Sequence, residues 1–407
     1  MKAVILAAGK GSRLNPLTKT RPKHILPVAG KPVIVHVIEN LSKLGIRDIG
    51  IVVHHYREMI ESLLGDGSRL NVNITYIYQE VLNGTATAVE IAEDFVRGDD
   101  FILVYGDVLF EPRIVENALK VFRSGVDGVV IGVEVDNPWE FGVFIVQDGC
   151  LKGVIEKPPK GTEPSNLINS GIYVLKPTVF DYVKRVGFSE RKEREFTDAI
   201  MMMCNDCRVA IVNGGSGWWF DVGRPWDLID ANKYYMNKLI KHNIKGKLNP
   251  GVTIEGEVYI DKGTVVRSGA VIVGPAYIGK NCTIGYSVVI GPYTYIGDNV
   301  TIGPLSYIEN SIILGNATIS SHCAIFESII GEYCYLESGV KIPCYSLSGE
   351  NIKVLIKNKK VDSGRKKLGA IIGDEVKIGA NVSFAPGITV KSKSIIKAGS
   401  RVDKDIL

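Results

Sequence analysis

The stretch VIVGPAYIGKNCTIGYSVVIGPYTYIGDNVTIG, Val271 to Gly303, repeats an isoleucine every sixth residue, at Ile272, Ile278, Ile284, Ile290, Ile296 and Ile302. A period of six fits neither an amphipathic helix nor the two-residue alternation of an ordinary strand. It marks a hexapeptide parallel β-helix, in which each short strand forms one wall of a coil. Followed outward, the series opens at Leu248, Ile254, Ile260 and Val266 and continues through Ile308 and Leu314. The phase then slips, because Leu314 to Ile330 is sixteen residues rather than eighteen, and it recovers through Ile330, Leu336 and Ile342. A non-repeating insert follows at about 343–370, PCYSLSGENIKVLIKNKKVDSGRKKLG, before the period returns at Ile372, Ile378, Phe384, Val390, Ile396 and Val402. Coils stack only on their neighbours, so an insert must leave the solenoid as a loop, where function is usually placed.

The N-terminal half has a different pattern. Short apolar runs (AVILAA from Ala3, DIGIVV from Asp48, NITYIY from Asn73, FILVY from Phe101) alternate with helical periodicity. In KPVIVHVIENLSKLGI the residues Val33, Ile34, Val37, Ile38, Leu41 and Leu44 share one helix face, and TATAVEIAEDFV reads as a second helix. This order predicts an α/β, Rossmann-like domain with a mostly parallel sheet and covering helices, whose ligands sit at the carboxyl ends of the strands. The expected organisation is a domain over 1–230, a helical linker over 231–247 and a left-handed parallel β-helix of hexapeptide repeats over 248–407.

Of the 407 residues, 48 are Lys or Arg and 44 Asp or Glu, a net charge of +4. That balance is too small to argue for nucleic acid or a membrane surface, so any anion site must be local. The opening apolar run is cut by Gly9 and is too short for a signal peptide, and no segment reaches membrane-spanning length. A cytoplasmic location is expected, with the seven cysteines as thiols. Cys204 and Cys207 form a CxxC with no second pair to complete a zinc site.

The first strand runs into LAAGKGSRLNPLTKTRPK, Leu6 to Lys23, which carries Lys10, Arg13, Lys19, Arg21 and Lys23 and no acidic residue. Gly9 and Gly11 let backbone N–H groups approach a phosphate, and Arg13 and Lys23 can neutralise it. Taken alone, such a loop is equally well a solvated basic turn. In the same way Asp107 and Asp221 read as surface carboxylates, Glu156 and Lys157 as an exposed ion pair, Asn169 as a turn residue and Gln79 as a strand end.

Together these positions resemble the sugar-1-phosphate nucleotidylyltransferases over most of the first 230 residues. The resemblance implies that Leu6, Ala7, Ala8, Gly9 and Gly11, with Gln79, Gly84 and Thr85 of the QEVLNGTA segment, hold the nucleotide. It also implies that Asp107 (YGDVLF) and Asp221 (WWFDVGRPWDL) bind Mg²⁺, and that Gly142, Glu156, Lys157 and Asn169 surround the sugar phosphate. The reaction implied is attack by a sugar 1-phosphate oxygen on the α-phosphorus of a nucleoside triphosphate, with UTP or dTTP and N-acetylglucosamine 1-phosphate or glucose 1-phosphate as the expected substrates. Arg13 and Lys23 would be the catalytic cations.

With the β-helix, the chain is similar to bifunctional N-acetylglucosamine-1-phosphate uridylyltransferase/glucosamine-1-phosphate acetyltransferases, above all the archaeal form through SGRKKLGAIIGDEVKIGANVSFAPG. That likeness implies a homotrimer, acetyl-coenzyme A as co-substrate near Lys353 and Ala380, and His322 as general base. The chain departs from the pattern at Ile325, Cys344 and Glu350 or Asn351, where a tyrosine, an asparagine and a lysine are expected. The same layout also occurs in mannose-1-phosphate guanylyltransferases and in non-catalytic subunits of an initiation-factor exchange complex. A non-catalytic relative is expected to have lost Arg13, Lys23, Asp107 or Asp221, and all four are present.

Overall fold

Aliphatic and aromatic runs of five to seven residues form strands where both faces are covered, as in the parallel part of a helix-flanked sheet. The computed structural model describes residues 1–147 and 149–407. In chain order its N-terminal elements are β1 (Lys2–Leu6), a hairpin of β2 (Pro27–Val28) and β3 (Lys31–Pro32), α1 (Val33–Lys43), β4 (Asp48–Val53), α2 (Arg57–Leu64), β5 (Asn73–Tyr78), α3 (Thr85–Glu90), α4 (Glu93–Val96), β6 (Phe101–Tyr105), β7 (Val108–Phe110), α5 (Pro112–Phe122), β8 (Gly128–Glu134), β9 (Gly142–Gln147), β10 (Cys150–Glu156), β11 (Leu167–Leu175), α6 (Val179–Val183), α7 (Phe196–Asp206), β12 (Val209–Asn213), β13 (Trp219–Asp221) and α8 (Pro225–Leu239). The chain divides into two compact units, Met1–Lys10 with Val33–Asp221 and Gly11–Pro32 with Val222–Leu407.

In the first unit the sheet order is β5-β4-β1-β6-β11-β8-β12-β10-β9. Strands β5, β4, β1 and β6 run parallel, so their carboxyl ends lie along one edge, and β11 reverses direction beside β6. The stripe Val33, Ile34, Val37, Ile38 and Leu41 of α1 is fully buried, as its spacing predicts, while Leu44 lies past the end of the helix and is only half-buried. The segment read as one helix from Thr85 is two, α3 and α4, interrupted at Ile91–Ala92. Among the described residues no helix is long and apolar enough to cross a membrane.

The second unit contains three parallel sheets of eight very short strands each, the walls of the β-helix. Each repeat isoleucine faces inward and stacks on the one a coil away, as in Ile284↔Ile302 and Ile290↔Ile308, and Ile260 through Ile308 are fully buried. The phase slip falls one step earlier than the sequence suggests. The inward residue after Ile308 is Ile313, while Leu314 lies one place further on. Its cause is a turn one residue shorter, rounded by Asn310 at φ 44°, and the next coil repeats it at Glu327, φ 47°. The first coil begins before Leu248, because Asn243–Ile244 already pairs with Tyr259–Ile260. The insert leaves without breaking the stack: Ile329–Ile330 pairs directly with Ile371–Ile372, and the loop folds back as a hairpin of Lys353–Ile356 on Lys359–Asp362.

Candidate active site

In the first unit the strand ends gather the residues singled out for the nucleotide. Leu6 lies opposite Tyr105 in the parallel β1–β6 pair, and the Gly106 N–H donates to the Leu6 carbonyl at 2.9 Å. Ala7 continues the sheet by donating to Val52 O at 2.8 Å, which leaves Ala8 and Gly9 at the strand mouth. Gln79 follows β5 directly and is nearly buried, its side-chain amide donating to Val81 O at 3.0 Å while its backbone carbonyl meets His54 Nδ1 at 2.6 Å. Gly84 and Thr85 open α3. Gly84 has φ 129° and ψ 172°, a conformation essentially confined to glycine. A Cβ there would strike the backbone N and O of Arg194.

Arg194 is a residue that the sequence reading missed. Its N–H donates to Asn83 O at 2.7 Å and its carbonyl accepts from Ala86 N at 2.9 Å, so one residue brackets Gly84 from both sides. Its guanidinium bonds Thr87 Oγ1 and Glu90 Oε2 as well as the carbonyls of Val183 and Val186. Those side-chain partners on α3 are 107 and 104 positions away, beyond the reach of any local spacing rule.

The antiparallel pair β7–β13 brings the segments of the two aspartates together, with Asp221 directly opposite Val108. Asp107 is the next residue, nearly buried, one bond beyond the Gly106 that is tied to Leu6. The backbones of Asp107 and Asp221 are therefore one register step apart beside the mouth of β1. Two hard oxygen donors are a fitting set for a cation that fills the rest of its shell with phosphate oxygens and water.

A second cluster continues from β13. Gly142 and Glu156 are paired across β9–β10, and a Cβ on Gly142 would lie 2.8 Å from Glu156 Oε2 and 3.8 Å from Asn169 Cβ. Asn169 is held by its own bonds, Nδ2 donating to the Tyr173 hydroxyl at 2.6 Å and Oδ1 accepting from Gly171 N at 3.0 Å. Lys157 turns at φ 50°, with its N–H on Phe141 O at 2.9 Å. Trp219 links this cluster to the aspartates, donating to Ser170 O at 2.8 Å and packing edge-on against Phe141. Arg191, also absent from the sequence reading, reaches Glu156 at 3.3 Å and Glu195 at 2.7 Å, and burial pushes the Glu195 carboxyl above its ordinary range.

Gly11, Arg13 and Lys23 belong by packing to the second unit. Gly11 is left-handed at φ 63°, and a Cβ there would lie 3.2 Å from both Lys23 Cβ and Thr18 Cγ2, so Gly11 and Lys23 pack side by side. Arg13 lies on the single turn Ser12–Leu14, and Thr18 Oγ1 closes the loop on Gly11 O at 2.9 Å.

On the β-helix His322 is an exposed corner residue at φ 58°, its carbonyl accepting from Lys341 Nζ. Ala380 occupies the same edge two coils on, through the chain of corner bonds Gly339 to Ser321, Asn381 to Ser338 and Gly399 to Ala380. Lys353 lies on the insert, which leaves the stack at a different edge from the one that carries His322. Among the described residues no group of three or more His, Cys, Asp or Glu side chains could hold a metal, and burial pushes the Cys204 thiol up to about 11.

Residues 2–238 match the model of the nucleotidyl transferase family, 272–361 that of the GMPPB C-terminal domain, and 369–404 that of the hexapeptide repeat of succinyl-transferase. The bifunctional protein GlmU of Methanocaldococcus jannaschii is 40% identical over 407 residues, covering 100% of this chain and 96% of the relative. A bifunctional sugar-1-phosphate nucleotidylyltransferase/acetyltransferase of Sulfurisphaera tokodaii is 36% identical over 408 residues, covering 100% and 98%. Among solved structures, a Bacillus anthracis protein described as a glucose-1-phosphate thymidylyltransferase superposes with a TM-score of 0.54 at 33% identity, covering 60% of this chain and 98% of its own.

Proposed function

Because the chain belongs to the nucleotidyl transferase family, and along its whole length resembles that family's bifunctional archaeal members, we propose that it joins a nucleoside triphosphate to a sugar 1-phosphate and releases pyrophosphate. UTP or dTTP, with N-acetylglucosamine 1-phosphate or glucose 1-phosphate, are the substrates that this reading favours. The observation that carries it is the β7–β13 register, which sets Asp221 beside Asp107 at the carboxyl end of β1. Chance surface aspartates have no reason to share that place.

In the step proposed, an oxygen of the sugar phosphate forms a bond to the α-phosphorus, and the bond from that phosphorus to the β-bridging oxygen breaks. No net proton transfer is required. The protein's work is then to hold two anions in line and to neutralise the charge of the leaving pyrophosphate. Backbone groups from Leu6 to Gly11 hold phosphate, Gln79, Gly84 and Thr85 hold the base, and Gly142, Glu156, Lys157 and Asn169 hold the sugar phosphate. Arg13 and Lys23 are the cations on the triphosphate. Asp107 and Asp221 would hold Mg²⁺, which when bound supplies charge neutralisation at the phosphates.

For the β-helix we propose N-acetylation of an amino-sugar 1-phosphate by acetyl-coenzyme A, with His322 as base. His322 and the insert that carries Lys353 belong to different edges of the coil, an arrangement that suits a homotrimer in which a second copy completes the site. The test is incubation with Mg²⁺ and each of the four ribonucleoside triphosphates and dTTP, against glucose, mannose, glucosamine and N-acetylglucosamine 1-phosphates, reading pyrophosphate. Release with UTP or dTTP and one of the gluco-configured sugars is expected. A preference for GTP with mannose 1-phosphate would transfer the assignment to the guanylyltransferases, and silence throughout would remove it.

A further inference from the structure

The loop from Leu6 to Lys23 carries five cations and no acidic residue of its own. One of them, Arg21, finds its counter-charges far along the chain. It is 7% exposed, and its guanidinium donates from Nη1 to Glu332 Oε1 at 2.7 Å and from Nη2 to Asp374 Oδ2 at 2.6 Å. Thr20 Oγ1 donates to the same Asp374 oxygen. Both carboxylates stand on turns of the β-helix, in coils neighbouring across the insert. The seat is close-fitting: a Cβ on Gly373 would lie 3.0 Å from Pro16 Cβ. Two residues beyond Arg21 comes Lys23, packed against Gly11, and Thr18 ties Gly11 to the rest of the loop.

We propose that Asp374, seconded by Glu332, is a positioning residue for nucleotidyl transfer: through Arg21 the β-helix fixes the loop that presents Arg13 and Lys23 to the triphosphate. The inference rests on the reading of Arg13 and Lys23 given above. Its physical basis is that a buried ion pair tolerates the loss of one partner badly, since the remaining charge is left without compensation. With the Asp374 charge gone, Arg21 is drawn toward water and carries Lys23 with it. A displacement near 1 Å is enough to cost about a hundredfold in rate.

Asp374 also has an ordinary architectural task, for its Oδ1 accepts the Glu332 N–H at 2.7 Å. The β-helix supplies its own control for this. Three coils earlier Asp298 occupies the corresponding turn and accepts the Lys280 N–H at 2.8 Å, and among the described contacts it makes none with the loop. Asp374→Asn and Asp298→Asn therefore disturb the same kind of turn, and only the first disturbs the loop.

Steady-state pyrophosphate release is to be measured for wild type, Asp374→Asn, Asp298→Asn, Arg21→Gln, the double variant Arg21→Gln/Asp374→Asn, and Arg13→Ala, with melting temperatures for all. For Asp374→Asn, kcat is expected to fall by about ten- to a hundredfold and KM for the triphosphate to rise, with KM for the sugar phosphate unchanged. Asp298→Asn is expected to match wild type in kinetics, and the double variant to be no worse than either single one. Wild-type kinetics in Asp374→Asn, or an equal loss in Asp298→Asn, overturns the proposal while a slow Arg13→Ala keeps the underlying reading. If Arg13→Ala runs at the wild-type rate, that reading falls and the proposal with it.

Discussion

Replacing Gly84 by alanine tests whether the nucleotide segment is shaped by the loop before α7 that carries Arg194. Two separate penalties apply. Alanine must adopt φ 129° and ψ 172°, a region nearly exclusive to glycine, at about 1–3 kcal/mol. Its Cβ would also overlap the backbone of Arg194, and relief requires moving one of two tightly bonded segments, at about 1–3 kcal/mol more. Moving them strains the Arg194 N–H to Asn83 O and Ala86 N–H to Arg194 O bonds, of 2.7 and 2.9 Å, each contributing about 1 kcal/mol. The lower bound, about 2 kcal/mol, corresponds to about a thirtyfold loss in kcat/KM for the triphosphate if the segment yields. It also corresponds to a melting temperature lower by about 4–8 °C. Steady-state kinetics with the triphosphate varied, together with a thermal melt, reads both. Because the clash is with main-chain atoms, adding Arg194→Ala gives no rescue. A Gly84→Ala protein with unchanged KM and melting temperature, or a rescue by Arg194→Ala, would refute the reasoning.

Asp107→Asn and Asp221→Asn should each slow pyrophosphate release by at least about a hundredfold and raise the Mg²⁺ concentration for half-maximal rate, and the double variant should be little worse; a magnesium titration of each variant decides it. Gly142→Ala brings a methyl group to 2.8 Å from Glu156 Oε2 without backbone strain, so KM for the sugar 1-phosphate should rise by about tenfold while KM for the triphosphate holds; equal changes in both would contradict the placement of this cluster at the sugar. Burial pushes the Cys204 and Cys282 thiols up to about 11 and Cys334 up to about 12. At pH near 8 their thiolate fraction is then about 0.1% or less, and intact-mass analysis after iodoacetamide should find no adduct on them in the folded protein.

Much of this molecule is legible from its residues because each β-helix coil repeats one local instruction: an aliphatic residue inward, a left-handed corner, another short strand. Ile272 through Ile308 needed no long-range information to be placed. The step from Ile308 to Ile313 was misread by one position because two adjacent isoleucines and a leucine, Ile312 to Leu314, all suit the repeat, and only the turn at Asn310 selects among them. In the first unit the strands were readable from their apolar runs, whereas the β7–β13 pairing that sets Asp221 opposite Val108 was not. What local pattern could not show were pairings across long stretches of chain. Arg194 acts on α3 from about a hundred residues away. Arg21, in a loop with no acid of its own, is neutralised by Glu332 and Asp374, 311 and 353 positions on.

The most direct measurement is ³¹P NMR of the purified protein with Mg²⁺, UTP and N-acetylglucosamine 1-phosphate, following every phosphorus species in one tube. The expected result is loss of UTP and of the sugar monophosphate in equal amounts, with equal gain of pyrophosphate and of a sugar-linked diphosphate. Conversion of UTP to UDP and inorganic phosphate with the sugar phosphate untouched, or no conversion with any triphosphate and sugar phosphate supplied, would contradict it.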